Sequence, residues 1–103
     1  MNPSKVYGLI GIGMKSNNVV SGEFSTEKAV KQKKAQIVIV ANDASDNTKK
    51  MFTNMCTYYK VPIYIFGEKS ELAHAMGKEM RSSLALLDKG LADAIEKQLK
   101  TVV

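Results

Sequence analysis

The sequence predicts an α/β fold, specifically a three-layer α-β-α sandwich around a four-stranded mixed sheet. Continuous apolar runs such as QIVIV (36–40) and SLALL (83–87) are typical of strands buried on both faces. Between these runs, apolar residues recur at the spacing of amphipathic helices. Strands that alternate with helices in this way place helices on both faces of a sheet.

Local signals predict the elements of the first half. Pro3 suits the first turn of a helix, and apolar or small residues then keep helical spacing until SNN breaks the pattern. VVSG (19–22) predicts a short strand, and a second helix is expected from Thr26 to about Lys34. NDAS (42–45) is a turn in which Ser45 is a candidate N-cap.

The second half repeats the alternation. One apolar stripe predicts a long helix after Ser45, and it consists of Met51, Phe52, Met55, Cys56 and Tyr59. Val61–Phe66 predicts a strand, and Ser70–Met76 predicts a short helix that ends at Gly77, a residue suited to the position after a helix. A final helix carries a stripe of Leu91, Ile95 and Leu99.

Length and cysteine content set the expected class. We expect a single domain over residues 1–103. Cys56 is the one cysteine, so no intramolecular disulfide can form and a reducing compartment is expected. No apolar run approaches the length of a membrane span, and the first residues lack the features of a secretory signal. We therefore expect a cytoplasmic protein with no membrane partner.

The charge favours a phosphate-rich partner. Fifteen Lys+Arg against ten Asp+Glu give a formal charge of +5, which suits phosphate-rich partners such as nucleic acid, or membrane surfaces. All of these cations are lysines except Arg81. Because base reading in duplex grooves usually depends on arginine, contacts to the nucleic-acid backbone are favoured.

The candidate nucleotide and metal sites are weak. GLIGIGMKS (8–16) resembles a phosphate loop, but Met14 separates the second glycine from Lys15 and no strand precedes the glycines. His74 and Cys56 cannot supply the roughly four ligands of a zinc site. The stripe position of Cys56 favours a buried, inert thiol. No metal or cofactor is expected.

Two carboxylates are the remaining candidates for catalysis. Asp43 and Asp46 flank a turn at the end of a strand, where α/β enzymes often place catalytic groups. No base, nucleophile or metal ligand accompanies them, and turn formation and capping explain them better. No catalytic residue is therefore expected.

The segment SGEFSTEKAVKQ (21–32) allows two interpretations. As a plain helix start, Ser25 would be the N-cap, and Phe24 would pack on Ala29 as a hydrophobic staple. As a binding site, Gly22 would let the backbone approach a partner, and the first-turn amides would point at it. The polar residues behind them on the same face would be Lys28, Lys31 and Gln32. Two nearby glutamates favour a partner with hydrogen-bonding edges as well as phosphates.

Three motifs together resemble one known family. They are Gly22 followed after five residues by Lys28-Ala29, the buried strand that leads to the Asn-Asp pair at 42–43, and KSELAHAMG (69–77). They resemble the kink-turn RNA-binding ribosomal protein family, which includes an archaeal large-subunit protein and the core protein of box C/D ribonucleoproteins. The resemblance is to a bacterial-type member and covers about Lys5 to Lys100. It implies an α-β-α sandwich that binds sharply bent RNA.

The resemblance also implies two RNA contacts. The first is the turn that opens the second helix, which corresponds to Gly22, Phe24, Ser25, Thr26 and Lys28. Phe24 and Ser25 replace the polar pair that the family usually places against sheared G·A pairs, which is a departure from the pattern. The second contact is the loop before the last strand, with Met80 against a flipped-out base and Arg81 on phosphate.

We therefore expect a non-enzymatic RNA-binding protein that recognises kink-turn-like RNA, with ribosomal RNA and ribosome components as candidate partners. The main alternative is a protein-interaction module that has lost RNA binding. An exposed Phe24 inside an apolar patch, with lysines pointing away, would support that alternative. A remoter alternative is an enzyme site near Asp43, which would need a deep pocket.

Overall fold

Within residues 3–101, which the computed structural model describes, the chain forms five α-helices and four β-strands. In chain order these are α1 (Pro3–Lys15), β1 (Val19–Ser21), α2 (Glu23–Lys31), β2 (Ile37–Val40), α3 (Asp46–Tyr59), β3 (Ile63–Ile65), α4 (Lys69–Met76), β4 (Ser83–Leu86) and α5 (Lys89–Lys100). The predicted α-β-α sandwich with a four-stranded mixed sheet is confirmed.

The sheet has the strand order β1-β4-β2-β3. β2 and β3 are parallel, with Val38 opposite Ile63, whereas β4 is antiparallel to both of its neighbours. Every residue of the central strands β2 and β4 is buried. This burial explains why both strands were visible in the sequence as continuous apolar runs.

Helices cover both faces of the sheet. α1 packs with α4 and α5 on one face, and α2 packs with α3 on the other. Val6 and Ile10 of α1 are fully buried on the first face, and Phe52 and Cys56 of α3 on the second. The other residues of the predicted α3 stripe are partly buried at the margin of this core, which confirms the stripe.

Four of the helices end in the same way. After α1, α2, α3 and α4, the chain passes through one left-handed residue, with paired backbone hydrogen bonds that satisfy the last carbonyls. These left-handed residues are Asn17, Lys33, Lys60 and Gly77, the last of which confirms the predicted helix end. Glycine and asparagine are the usual residues there, whereas for a lysine this conformation costs about 1–2 kcal/mol.

The start of α2 differs from the expectation. The helix begins at Glu23 rather than Thr26, because the Thr26 amide already donates to the Gly22 carbonyl at 3.0 Å. Gly22 is the residue before the helix, at φ 90° and ψ 160°. The prediction of Ser25 as N-cap is therefore wrong, and the staple does not form because the Phe24 side chain is 78% exposed.

Packing around α1 explains one of its glycines. GLIGIGMKS lies almost wholly within this helix, and a Cβ on Gly13 would come 2.6 Å from Val19 Cγ2. Close packing therefore explains Gly13, as the sequence indicated. Among residues 3–101, no helix combines the length and apolar character needed to cross a bilayer.

Candidate nucleic-acid interface

The opening turn of α2 presents free backbone donors. Gly22 has no side chain to cap the helix, and the amides of Glu23, Phe24 and Ser25 have no hydrogen-bond partner within residues 3–101. Such amides give a helix N-terminus a partial positive charge and point along the axis towards a ligand. The turn can therefore accept a phosphate or a base-edge oxygen.

This turn is fixed to the start of β4. The Gly22 amide donates to the Ser83 carbonyl at 2.9 Å, and Ser83 Oγ donates to Thr26 Oγ1 at 3.4 Å. Both Thr26 and Ser83 are fully buried. Thr26, which the family resemblance placed among the contact residues, thus joins α2 to the sheet and does not face solvent in this structure.

A groove of about 290 Å³ runs along the exposed side of α2. Its polar lining comes from Ser25, Lys28, Gln32 and Lys34, and its apolar lining includes Phe24, Val20 and Leu87. None of the residues that line it is acidic. The groove therefore combines an aromatic ring, two ammonium groups and short polar side chains beside the free amides.

Lys31 lies outside this groove, contrary to the sequence prediction that grouped it with Lys28. Its Nζ is 2.9 Å from Glu27 Oε2 on the neighbouring stripe of α2. The hydrogen bond from Lys31 to Glu27 is the largest cause of a raised pKa of Lys31. The pair leaves Lys28 without an acidic partner within residues 3–101 and offsets the charge of one of the two glutamates near the turn.

The loop over residues 78–82 lies beside the same turn. Arg81 Nη1 donates to the carbonyl oxygens of Glu79 at 3.2 Å and Met80 at 3.1 Å. The Arg81 Cδ atom is 3.9 Å from the point that a Cβ on Gly22 would occupy. Met80 is 57% exposed. The structure thus brings Arg81 to the opening turn, and the two predicted contact regions are adjacent.

The groove includes residues that the sequence prediction missed. Val20 belongs to β1, Lys34 follows α2, and Leu87 follows β4. They meet because β1 pairs with β4 and α2 packs over both strands. No local pattern marks them in the sequence, because only the strand pairing brings them next to Phe24.

The remaining candidates behave as structural residues. Burial raises the pKa of the Cys56 thiol to about 11, so the thiol stays protonated at neutral pH. Asp43 Oδ1 accepts a hydrogen bond from the Lys69 amide at 2.8 Å and so caps α4, and Asp46 lies in the first turn of α3. In the part of the chain that the structure describes, no group of three or more His, Cys, Asp or Glu residues could hold a metal ion.

Comparison with known proteins identifies the family. Residues 4–96 match the model of the Ribosomal protein L7Ae/L30e/S12e/Gadd45 family. The chain belongs to this family. This confirms the family resemblance deduced from the opening turn of α2, the β2 strand and the α4 segment.

Similar proteins include two curated relatives and one solved structure. The chain is 35% identical over 95 residues to "RNA-binding protein YlxQ" of Bacillus subtilis (strain 168), covering 92% of this chain and 95% of the relative. It is 32% identical over 84 residues to "Large ribosomal subunit protein eL30" of Methanoregula boonei, covering 80% and 84%. A solved structure of a protein with unknown function from Bacillus halodurans C superposes with a TM-score of 0.83 at 30% identity, covering 89% and 97%.

Proposed function

We propose that this member of the L7Ae/L30e family binds RNA and recognises a kink-turn-like bend. The observation that carries the proposal is the open α2 turn, whose free amides lie beside Arg81 and beside the groove that Lys28 lines. The relatives, an RNA-binding protein and a ribosomal subunit protein, point to the same class of ligand. Proteins usually read RNA where it is bent and its bases are unstacked.

Each residue has a role in this proposal. Gly22 lets the RNA backbone approach the helix end, where the free amides and Lys28 bind phosphate. Arg81 uses Nη1 to hold its own loop, and its other guanidinium donors, which have no partner within residues 3–101, face the same phosphates. Met80 contacts an unstacked base. Thr26 positions the turn through its hydrogen bond with Ser83.

Phe24 and Ser25 define what is particular to this chain. Ser25 lines the groove and carries a free amide and a hydroxyl, both of which can bond a base edge. Phe24 cannot donate or accept, but its exposed ring can stack on a base. We therefore propose that this chain replaces part of the usual polar reading of G·A pairs by stacking. Ribosomal RNA is the proposed natural ligand, and ribosome components are the proposed partners.

A gel shift with two RNAs tests the function. The first RNA is a kink-turn, and the second carries Watson–Crick pairs in place of its sheared G·A pairs. Recognition of the bend predicts about tenfold or greater preference for the first, since each disrupted pair typically costs about 1–3 kcal/mol. Equal affinity for both RNAs would rule out kink-turn specificity. Absence of binding to either RNA would remove the proposal altogether.

Phe24→Asn tests the proposed stacking. We expect its affinity for the kink-turn to fall by about 1 kcal/mol, because a lost base stack of about 1–3 kcal/mol is only partly offset by new amide hydrogen bonds. Isothermal titration of both proteins with the same RNA measures the difference. A rise in affinity would mean instead that the native phenylalanine weakens G·A recognition.

The exposed Phe24 also supports the alternative of a protein-interaction module. Val20, Ala29 and Leu87 give its groove an apolar part. However, Lys28 and Lys34 line the same groove and do not point away from it. The gel shift separates the two functions, because a protein-interaction module would bind neither RNA.

A further inference from the structure

A second basic and aromatic surface lies where α2 and α3 end. It is a depression of about 390 Å³ lined by Lys33, Tyr58, Tyr59 and Lys60, which we name the tyrosine depression. Tyr58 is 79% exposed, and no residue that lines the depression is acidic. α2 has nine residues, so the depression is about 14 Å from the opening turn along the helix axis. The function proposed above uses none of these residues.

The two tyrosines form a supported aromatic surface. Their rings meet edge to face, with centroids 4.9 Å apart and an interplanar angle of 77°. Tyr59 is partly buried against the core and contacts the Tyr58 ring, most of which lies in solvent. Neither hydroxyl has a hydrogen-bond partner within residues 3–101. An exposed aromatic ring on an ordered helix is what base stacking requires.

The lysines occupy positions that folding alone does not favour. α1 and α4 end on Asn17 and Gly77, the residue types that suit the left-handed position, whereas α2 and α3 end on Lys33 and Lys60. A lysine does complement the helix dipole. A lysine in the last helical turn would do so without left-handed strain. Left-handed lysines therefore occur at the two helix ends that meet at the tyrosine depression, although they cost backbone strain there.

We propose that the tyrosine depression is a second RNA site that holds unpaired nucleotides. Tyr58 stacks on a base, and Lys33 and Lys60 bind the flanking phosphates. Two ammonium groups without a carboxylate fit a phosphate backbone, and aromatic rings beside lysines are typical of single-strand binding. This inference rests on the proposed function only in taking the same RNA as ligand.

The far end of the groove along α2 lies near the tyrosine depression. Lys28, Gln32 and Lys34 line it from the opening turn onwards, and Lys33, next to Lys34 in the chain, lines the tyrosine depression. The separation of about 14 Å corresponds to about four nucleotides at the stacked spacing of about 3.4 Å along one strand. A single-stranded extension of about eight nucleotides on a kink-turn therefore reaches from the first site to the second.

The test compares a kink-turn with and without such an oligouridine extension. The extension is expected to tighten binding of the native protein about tenfold, the gain from one stacked base. Tyr58→Ala should remove this gain and leave affinity for the bare kink-turn within about twofold, whereas Tyr58→Phe should keep it. No gain for the native protein, or an unchanged gain in Tyr58→Ala, would overturn the proposal.

The lysines are tested by the double variant Lys33→Gly, Lys60→Gly. The salt slope is the steepness with which the logarithm of the binding constant falls with the logarithm of salt concentration. For the extended RNA, the double variant should lower this slope by about 1.4, or about 0.7 for each lost contact to a single strand. Its Tm should not fall, because glycine relieves the left-handed strain, so the loss of binding cannot be attributed to unfolding. The control double variant Lys97→Ala, Lys100→Ala removes the same charge from α5 on the opposite face. It should change the affinity and the salt slope of neither RNA. An unchanged slope in the glycine variant would contradict the lysine assignment.

A labelled oligouridine alone separates this inference from the function above. Its fluorescence anisotropy should rise with native protein and with Tyr58→Phe, but not with Tyr58→Ala. If oligouridine binds in this way while neither the kink-turn nor its Watson–Crick control binds, the RNA site at the tyrosine depression is supported and kink-turn recognition is rejected. If the kink-turn binds and oligouridine does not, only the tyrosine depression is rejected.

Discussion

Gly22→Ala is expected to lower the free energy of unfolding by about 1–3 kcal/mol and to weaken RNA binding. At φ 90° and ψ 160°, Gly22 has a conformation that is essentially restricted to glycine. A Cβ there would meet nothing closer than Arg81 Cδ at 3.9 Å, so the cost comes from the backbone and not from a clash. To relieve the strain, the turn must rotate, which moves the free amides away from their positions beside Lys28. Urea unfolding and RNA titration measure the two effects.

Gly8→Ala is the matched control. Gly8 lies inside α1, and a Cβ there would have no atom within 4 Å. Alanine should therefore stabilise the protein by about 0.5–1 kcal/mol and leave RNA binding unchanged. The same chemical change would thus have opposite signs at the two glycines. A Gly22→Ala protein as stable as the native one would show that the turn does not need this conformation.

Lys28→Ala is expected to weaken kink-turn binding by about 1–3 kcal/mol, the usual size of a hydrogen bond to a charged group. It should also reduce the salt slope by about 0.9, because one fewer phosphate is neutralised on a duplex. Lys28 is exposed, so its removal should leave the free energy of unfolding nearly unchanged. Titrations at several salt concentrations give both the affinity and the slope.

Lys31→Ala provides the control within the same helix. Lys31 is bonded to Glu27 at 2.9 Å and does not line the groove. Its loss removes the same charge one turn away, but it should change affinity and slope much less. Equal effects of the two substitutions would mean that overall charge, and not the position of Lys28, determines binding.

Prediction from the sequence succeeded where burial leaves a local pattern. The residues of β2 and β4 are apolar because both faces of these strands are covered, so their positions were predicted almost to the residue. Ser45 was predicted as an N-cap and accepts from the Thr48 amide at 3.1 Å, because capping depends on neighbours in the chain.

Prediction failed where geometry depends on distant partners. Ser25 is a better capping residue than Gly22 by type, yet the pairing of Gly22 with Ser83 ends β1 so close to the helix that Gly22 takes the cap position. The groove could not be predicted for the same reason, since Val20, Lys34 and Leu87 meet only after the strands pair. The position of Arg81 beside the opening turn likewise follows from the start of β4.

The bond between Gly22 and Ser83 also bears on how fast an RNA can be captured. It extends the β1–β4 ladder by one rung, so the amides of the opening turn are already held in place by the central strand of the sheet. The protein loses little conformational freedom on docking, and the bending falls to the RNA. The association rate should therefore be higher for RNAs that adopt the bent form more readily, because the protein keeps its conformation on binding.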